Sequence, residues 1–166
     1  MVDPHVAAKP IHDVIQNETL WASIFSSRPV RWYGPMLTQM VLLANEEEIE
    51  YATATVEEDG AGFDFWVYAF TAHRALIARA LGDDHDSGEA TAWSIARSQI
   101  VSVAVETDAS VYGGDAFGSW PGNVVAVAKY PGDLKLRLPA WNRSDSRAHR
   151  KAREFLPKLL GDLDRR

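Results

Sequence analysis

The densest run of ligand-type residues is Gly82-Asp83-Asp84-His85-Asp86-Ser87-Gly88-Glu89. Oxygen-rich loops hold Ca²⁺ or Mg²⁺, and a histidine among them favours a transition metal. The spacing of an EF-hand, with acids at positions 1, 3 and 5, glycine at 6 and glutamate at 12, is not met. A solvated hairpin loop without tight metal binding is the expectation, and an enzyme working through Asp83–Asp86 ranks low. The histidines, at 5, 12, 73, 85 and 149, show no His-Glu-x-x-His spacing, which leaves zinc weakly supported. His73 falls at a hairpin turn and His149 on a basic helix flank, and both are expected at the surface. Cysteine is absent, which excludes a thiolate nucleophile and a disulfide framework. No Gly-x-Ser-x-Gly elbow marks a serine nucleophile. The glycine-rich stretch Gly113–Ser119 lacks the Gly-Lys-Ser/Thr that would hold phosphates. These patterns point to no catalytic residue, no metal and no cofactor.

Contact chemistry is better represented. Tyr112, Phe117 and Trp120 lie in a long loop, Thr107 to Gly122, and aromatic side chains of this kind anchor interfaces. They could instead fold back over the mouth of a barrel. Near the C-terminus Arg147, Arg150, Lys151 and Lys158 share one helix flank. That flank could meet an anionic surface, or simply be solvated. Net charge over the 166 residues is −6. Residues 1–142 hold 9 basic and 19 acidic groups, whereas 143–166 hold 8 and 4. An acidic chain is a poor binder of nucleic acid, which needs clustered cations.

The elements that position these residues follow from periodicity. The length suits one domain with a short extension. No apolar run approaches the ~20 residues of a membrane span, and the N-terminus lacks the pattern of a signal peptide. A cytoplasmic location is expected. Residues 1–45 form a helical extension, with one helix from about Ile11 to Ser26 started by Pro10 and a second from Met36 to Asn45. The first helix's stripe, Ile11, Val14, Ile15, Trp21, Ile24 and Phe25, must be buried on its own domain or on a partner. Seven strands follow, near 49–56, 63–70, 75–81, 92–95, 100–106, 123–130 and 134–138, rich in β-branched and aromatic residues. Ser98-Gln99 forms a corner, and Pro131-Gly132-Asp133 a turn. The chain ends in a helix whose stripe is Ala148, Ala152, Phe155, Leu156, Leu159, Leu160 and Leu163, with Ser144 or Asp145 as cap. Pro157 should kink or restart it.

This order is α+β and mostly antiparallel β. The run Val67-Tyr68-Ala69-Phe70-Thr71-Ala72-His73-Arg74-Ala75-Leu76-Ile77 resembles the strand, Thr-x-x-Arg, strand hairpin of the bacterial pleckstrin-homology-like (PH-like) family. Trp93-Ser94-Ile95 through Val103 is similar to its next strand pair. Leu134–Leu138 and the Ala148–Leu163 helix are similar to its last strand and closing helix. The resemblance covers about residues 46–163 and implies a seven-stranded curled sheet or barrel capped by the C-terminal amphipathic helix, over a PH-like domain of residues 46–166. It implies a scaffold that binds peptides, proteins or lipid headgroups, with frequent self-assembly. Inositide-binding members carry cations in the first hairpin loop. Here that loop is Glu57-Glu58-Asp59, followed by Asp64, so inositide binding is not expected. The reading is a non-enzymatic module for protein–protein contacts, including homo-oligomer formation. The alternative is a helix-grip protein holding a small ligand in an apolar cavity, which the six tryptophans could line. Pro157 and the short strand Ala92–Ile95 favour the PH-like reading.

Overall fold

A computed structural model describes residues 3–19, 30–108, 121–140 and 146–165. The chain divides into two compact units, residues 1–97 and 98–166.

The first unit begins with helix α1, Pro4–Glu18. The sequence predicts a helix from about Ile11 to Ser26, but it begins seven residues earlier and ends at Glu18, where Thr19 turns extended; Trp21, Ile24 and Phe25 lie outside the described residues. The Asp3 side chain accepts the His5 N–H at 2.9 Å and thereby caps the first turn. Pro4, not Pro10, then occupies the position where a missing N–H costs nothing. Pro10 lies inside the helix, and the carbonyl it cannot serve belongs to Val6, which is 62% exposed and open to water. Helix α2, Tyr33–Ala44, buries Met36, Met40 and Ala44. It stops where Asn45 and Glu46 adopt left-handed φ values of 52° and 67°.

Strands β1 (Tyr51–Glu58), β2 (Phe63–Phe70), β3 (Arg74–Gly82) and β4 (Glu89–Ala96) form an antiparallel meander in the order β1-β2-β3-β4. Alternation gives the sheet two faces. One face presents Ala52 and Ala54, then Phe63, Phe65, Val67 and Ala69, then Leu76, Ala78 and Ala80. These pack with Ile11, Val14, Ile15, Trp32, Met36 and Met40 into a single core. The stripe of α1 is therefore buried on its own unit, as far as Ile15.

The Thr-x-x-Arg hairpin has a local explanation. Phe70 pairs with Ala75, so Thr71–Arg74 is a four-residue turn. The buried Thr71 hydroxyl accepts the Arg74 N–H at 3.1 Å, and its own N–H donates to the Arg74 carbonyl at 3.0 Å. Arg97, 3% exposed, donates to the Thr71 carbonyl at 2.5 Å and to Glu50 at 2.9 Å. One guanidinium thus ties the entry of β1 to the β2–β3 turn.

After a 3₁₀ turn, Arg97–Gln99, the second unit holds β5 (Ser102–Thr107), β6 (Val124–Lys129), β7 (Lys135–Leu138) and helix α3 (Ser146–Leu163). Its antiparallel sheet has the order β5-β6-β7. The central strand β6 buries Val124, Val125, Ala126 and Ala128, hence residues on both faces. The β6–β7 turn uses Gly132 and Asp133 at φ 75° and 59°, closed by Tyr130 N–H to the Leu134 carbonyl at 2.8 Å.

Helix α3 lies against β6 and β5. Its buried residues are Ala148, Ala152, Phe155, Leu159 and Asp162. This is a narrow seam with steps of four and three. The broader predicted stripe is corrected at its rim: Leu156 and Leu163 are half-buried and Leu160 is 43% exposed. The helix also runs through Pro157 as one element, without the predicted restart. The caps Ser144 and Asp145 lie outside the described residues.

All seven predicted strands exist. They form a four-stranded and a three-stranded sheet rather than one continuous curled sheet.

Candidate functional site

The face of the four-stranded sheet opposite α1 and α2 carries the side chains that periodicity places between those of the core. Register sets Thr55 beside Trp66, Trp66 beside Arg79, and Arg79 beside Thr91. The next row is Thr53, Tyr68, Ile77 and Trp93. Arg79 sits at the centre and is fixed in two ways. Its Nε and NH2 donate to the two carboxylate oxygens of Asp64 at 2.9 and 2.8 Å, a bidentate fork. Its guanidinium carbon lies 4.7 Å from the Trp66 ring centroid, within cation–π range. Trp93 meets Trp66 edge-on at 6.2 Å, and Tyr68 is tilted against Trp66 at 6.1 Å. Trp66, Tyr68 and Trp93 are all half-buried.

The hydrogen bonds from Arg79 hold the Asp64 carboxyl below the usual carboxylate range, and the same bonds raise Arg79. Burial pushes the Tyr68 hydroxyl up to about 12, so it is protonated at neutral pH. An open depression of about 600 Å³ runs along this face, lined by Trp66, Arg79, Trp93, Thr91, Asp83 and Glu89 among others. A second, of about 410 Å³, lies at the hairpin ends between Glu57, Asp59, Asp64 and Asp83. The arrangement offers flat aromatic surface and fixed carboxylates.

The β3–β4 loop spends its polar groups on its own turn. Asp84 accepts the N–H groups of Asp86 and Ser87 at 2.8 and 2.9 Å, which lowers its pKa. His85 Nε2 lies 3.2 Å from Glu58. The Trp32 indole N–H donates to the His85 carbonyl at 2.9 Å, its ring stacked on Phe63 at 5.5 Å. Gly82 and Gly88 make that approach possible. A Cβ on Gly88 would lie 2.5 Å from Trp32 Nε1, and one on Gly82 would lie 2.7 Å from the Gly88 Cα. Among the described residues, no three His, Asp or Glu side chains gather as a metal-ligand set, and no helix is long and apolar enough to cross a membrane.

The predicted contact residues are distributed unevenly. Tyr112, Phe117 and Trp120 lie outside the described residues. Arg147 and Arg150 are exposed on α3, and Lys151 beside them is half-buried. His73 is exposed, 3.2 Å from Glu47. Burial alone would raise Glu47, but hydrogen bonds from Thr71 and from the His73 N–H and ring outweigh it and lower the carboxyl. His149 is not a surface residue as predicted: it is half-buried, with Nδ1 donating to the Val124 carbonyl at 3.0 Å. Its neighbour Ala148 lies in the seam of α3, so packing on β6 carries the ring inward.

The Trp66–Arg79–Asp64–Trp93 group was not among the predicted sites. Its signal is the alternation Asp64-x-Trp66-x-Tyr68, with a charge, Arg79, interrupting the apolar β3. Compared with models of known families, with characterised proteins and with solved structures, the chain matches none.

Proposed function

We propose that this chain is a non-enzymatic, PH-like module that mediates protein–protein contacts, self-association among them. The order of four antiparallel strands, three antiparallel strands and a closing amphipathic helix supports the PH-like reading. The observation that carries the contact reading is the half-exposed Trp66–Arg79–Trp93 face, since tryptophan and arginine dominate interface energetics.

The partner segment is cationic. Arg79 is already neutralised by Asp64, while Asp83 and Glu89 line the same depression. A lysine or arginine side chain laid on Trp93 gains the ring face and the rim carboxylates together. A phosphate meets repulsion there, and again at Glu57, Glu58 and Asp59, so an inositide is not the partner.

Tryptophan fluorescence titration of the full chain with an arginine-rich peptide, against an acidic peptide and inositol hexakisphosphate, tests this. The basic peptide alone should bind, with affinity falling at least tenfold in Trp93→Ala, a drop of about 1.4 kcal/mol or more. Binding of the two anionic probes, or basic-peptide binding indifferent to Trp93→Ala, would overturn the reading.

A further inference from the structure

Each sheet has two edge strands, and an edge is a template for another strand unless something blunts it. Three of the four edges are blunted within their own unit. Helix α1 lies along β1. Helix α2 lies along β4, and Gln39 Oε1 accepts the β4 N–H of Ala92 at 2.9 Å. Strand β7 is four residues long, alternates Lys135 and Arg137 with leucine, and runs into Pro139.

Strand β5 meets α3 on its face, but among the described residues no side chain caps its edge as Gln39 caps that of β4. It pairs only with β6 in its sheet. Five of its six residues are exposed and Val103 is half-buried. Val105 is 49% exposed, although a valine in a covered strand would be buried. Its sequence, Ser102-Val103-Ala104-Val105-Glu106-Thr107, has high strand propensity and contains no lysine, proline or glycine.

We infer that β5 is a self-pairing edge: two copies of this chain join β5 to β5 antiparallel about a two-fold axis at Ala104. The inference rests on the self-association reading and names its surface. A second copy is the occupant because the strand is complementary to itself in that register. Val103 of each copy falls opposite Val105 of the other, a β-branched pair of the kind that stabilises sheets. Ser102 falls opposite Glu106, so the strand's one charge faces a hydroxyl instead of its own image. Glu106 is also held by Arg137 at 3.0 Å within its own copy. The three-stranded sheets become one of six strands. A contact of one short strand per copy falls below the ~1,200 Å² typical of stable complexes, so the dimer is weak and concentration-dependent.

Sedimentation equilibrium of the full chain tests the inference with two variants at the exposed Ala104. Ala104→Lys places like charges opposite each other at the axis and should raise the dimer dissociation constant roughly tenfold or more, with an unchanged melting temperature. Ala104→Cys introduces the chain's sole cysteine and should give a covalent dimer on mild oxidation, because residues directly opposite lie within disulfide reach. A dimer indifferent to Ala104→Lys, together with no cross-linking of Ala104→Cys, overturns the β5 edge and leaves self-association standing. A wild-type chain that is monomeric at every attainable concentration overturns both.

Discussion

Leu159 and Leu160 are consecutive leucines on α3, about 100° apart around its axis, and the same substitution separates them. Leu159 is fully buried, whereas Leu160 is 43% exposed. Truncating a buried leucine to alanine costs about 2–5 kcal/mol, the lost transfer energy plus the cavity left behind. Full burial of a leucine is worth about 1.5–3 kcal/mol. Leu160 keeps close to half its surface in water, so its truncation should cost about 1 kcal/mol, reduced by a few tenths through the higher helix propensity of alanine. In a chain of this size each kcal/mol moves the melting temperature by about 2–4 °C. Leu159→Ala should therefore melt about 5–15 °C lower, and Leu160→Ala about 2–4 °C lower at most. Urea denaturation followed by circular dichroism, with the m-value checked for constancy, reads the same difference as a shift in midpoint. Helix propensity and side-chain size cancel between the two variants, so only burial remains. A restart at Pro157 would rotate every later residue by about 100° per residue of slip. Equal losses, or a larger loss at Leu160, would refute the continuous helix and its seam.

Gly88→Ala should destabilise by about 1–3 kcal/mol through overpacking, because its Cβ would lie 2.5 Å from Trp32 Nε1 and 2.7 Å from Phe63 Cζ; a red-shifted tryptophan emission would accompany the lowered melting point. Arg97→Met should cost about 1–3 kcal/mol in thermal or urea unfolding, the penalty for leaving the buried Thr71 carbonyl without its donor, while Glu50, exposed to water, is resolvated. Asp64→Asn should destabilise at neutral pH but not in acid. The folded Asp64 pKa lies below its usual value, so its stabilisation is complete above the unfolded pKa of about 3.9 and is lost as pH falls through the folded value. Parallel denaturation curves at pH 7 and in that acid range should show the gap between wild type and variant closing; a gap that persists would assign the loss to something other than the Arg79 pair.

Local periodicity alone located both helices before the sheet, all seven strands and the closing helix. Alternation and the 3.6-residue stripe are properties of a segment and its own backbone. The β2 boundaries, Phe63 and Phe70, were legible to the residue because Gly60 and Gly62 end the preceding turn and Thr71 begins the next. The start of α1 was less so: a single aspartate, Asp3, outweighs the more conspicuous Pro10, and a cap is one side chain rather than a pattern. The seam of α3 needed the sheet itself, for a run carrying Leu156, Leu159, Leu160 and Leu163 admits several stripes, and β6 selects one. The same holds for the Trp66–Arg79–Trp93 face. Alternation divides β2 into Phe63, Phe65 and Val67 on one side and Asp64, Trp66 and Tyr68 on the other. Which side α1 and α2 cover is decided by packing between residues far apart in the chain. The pairing of Arg79 with Asp64 across fifteen residues, and the exposure of β5 at the edge of its sheet, are likewise properties of strand neighbours, which exist only once the sheets have formed.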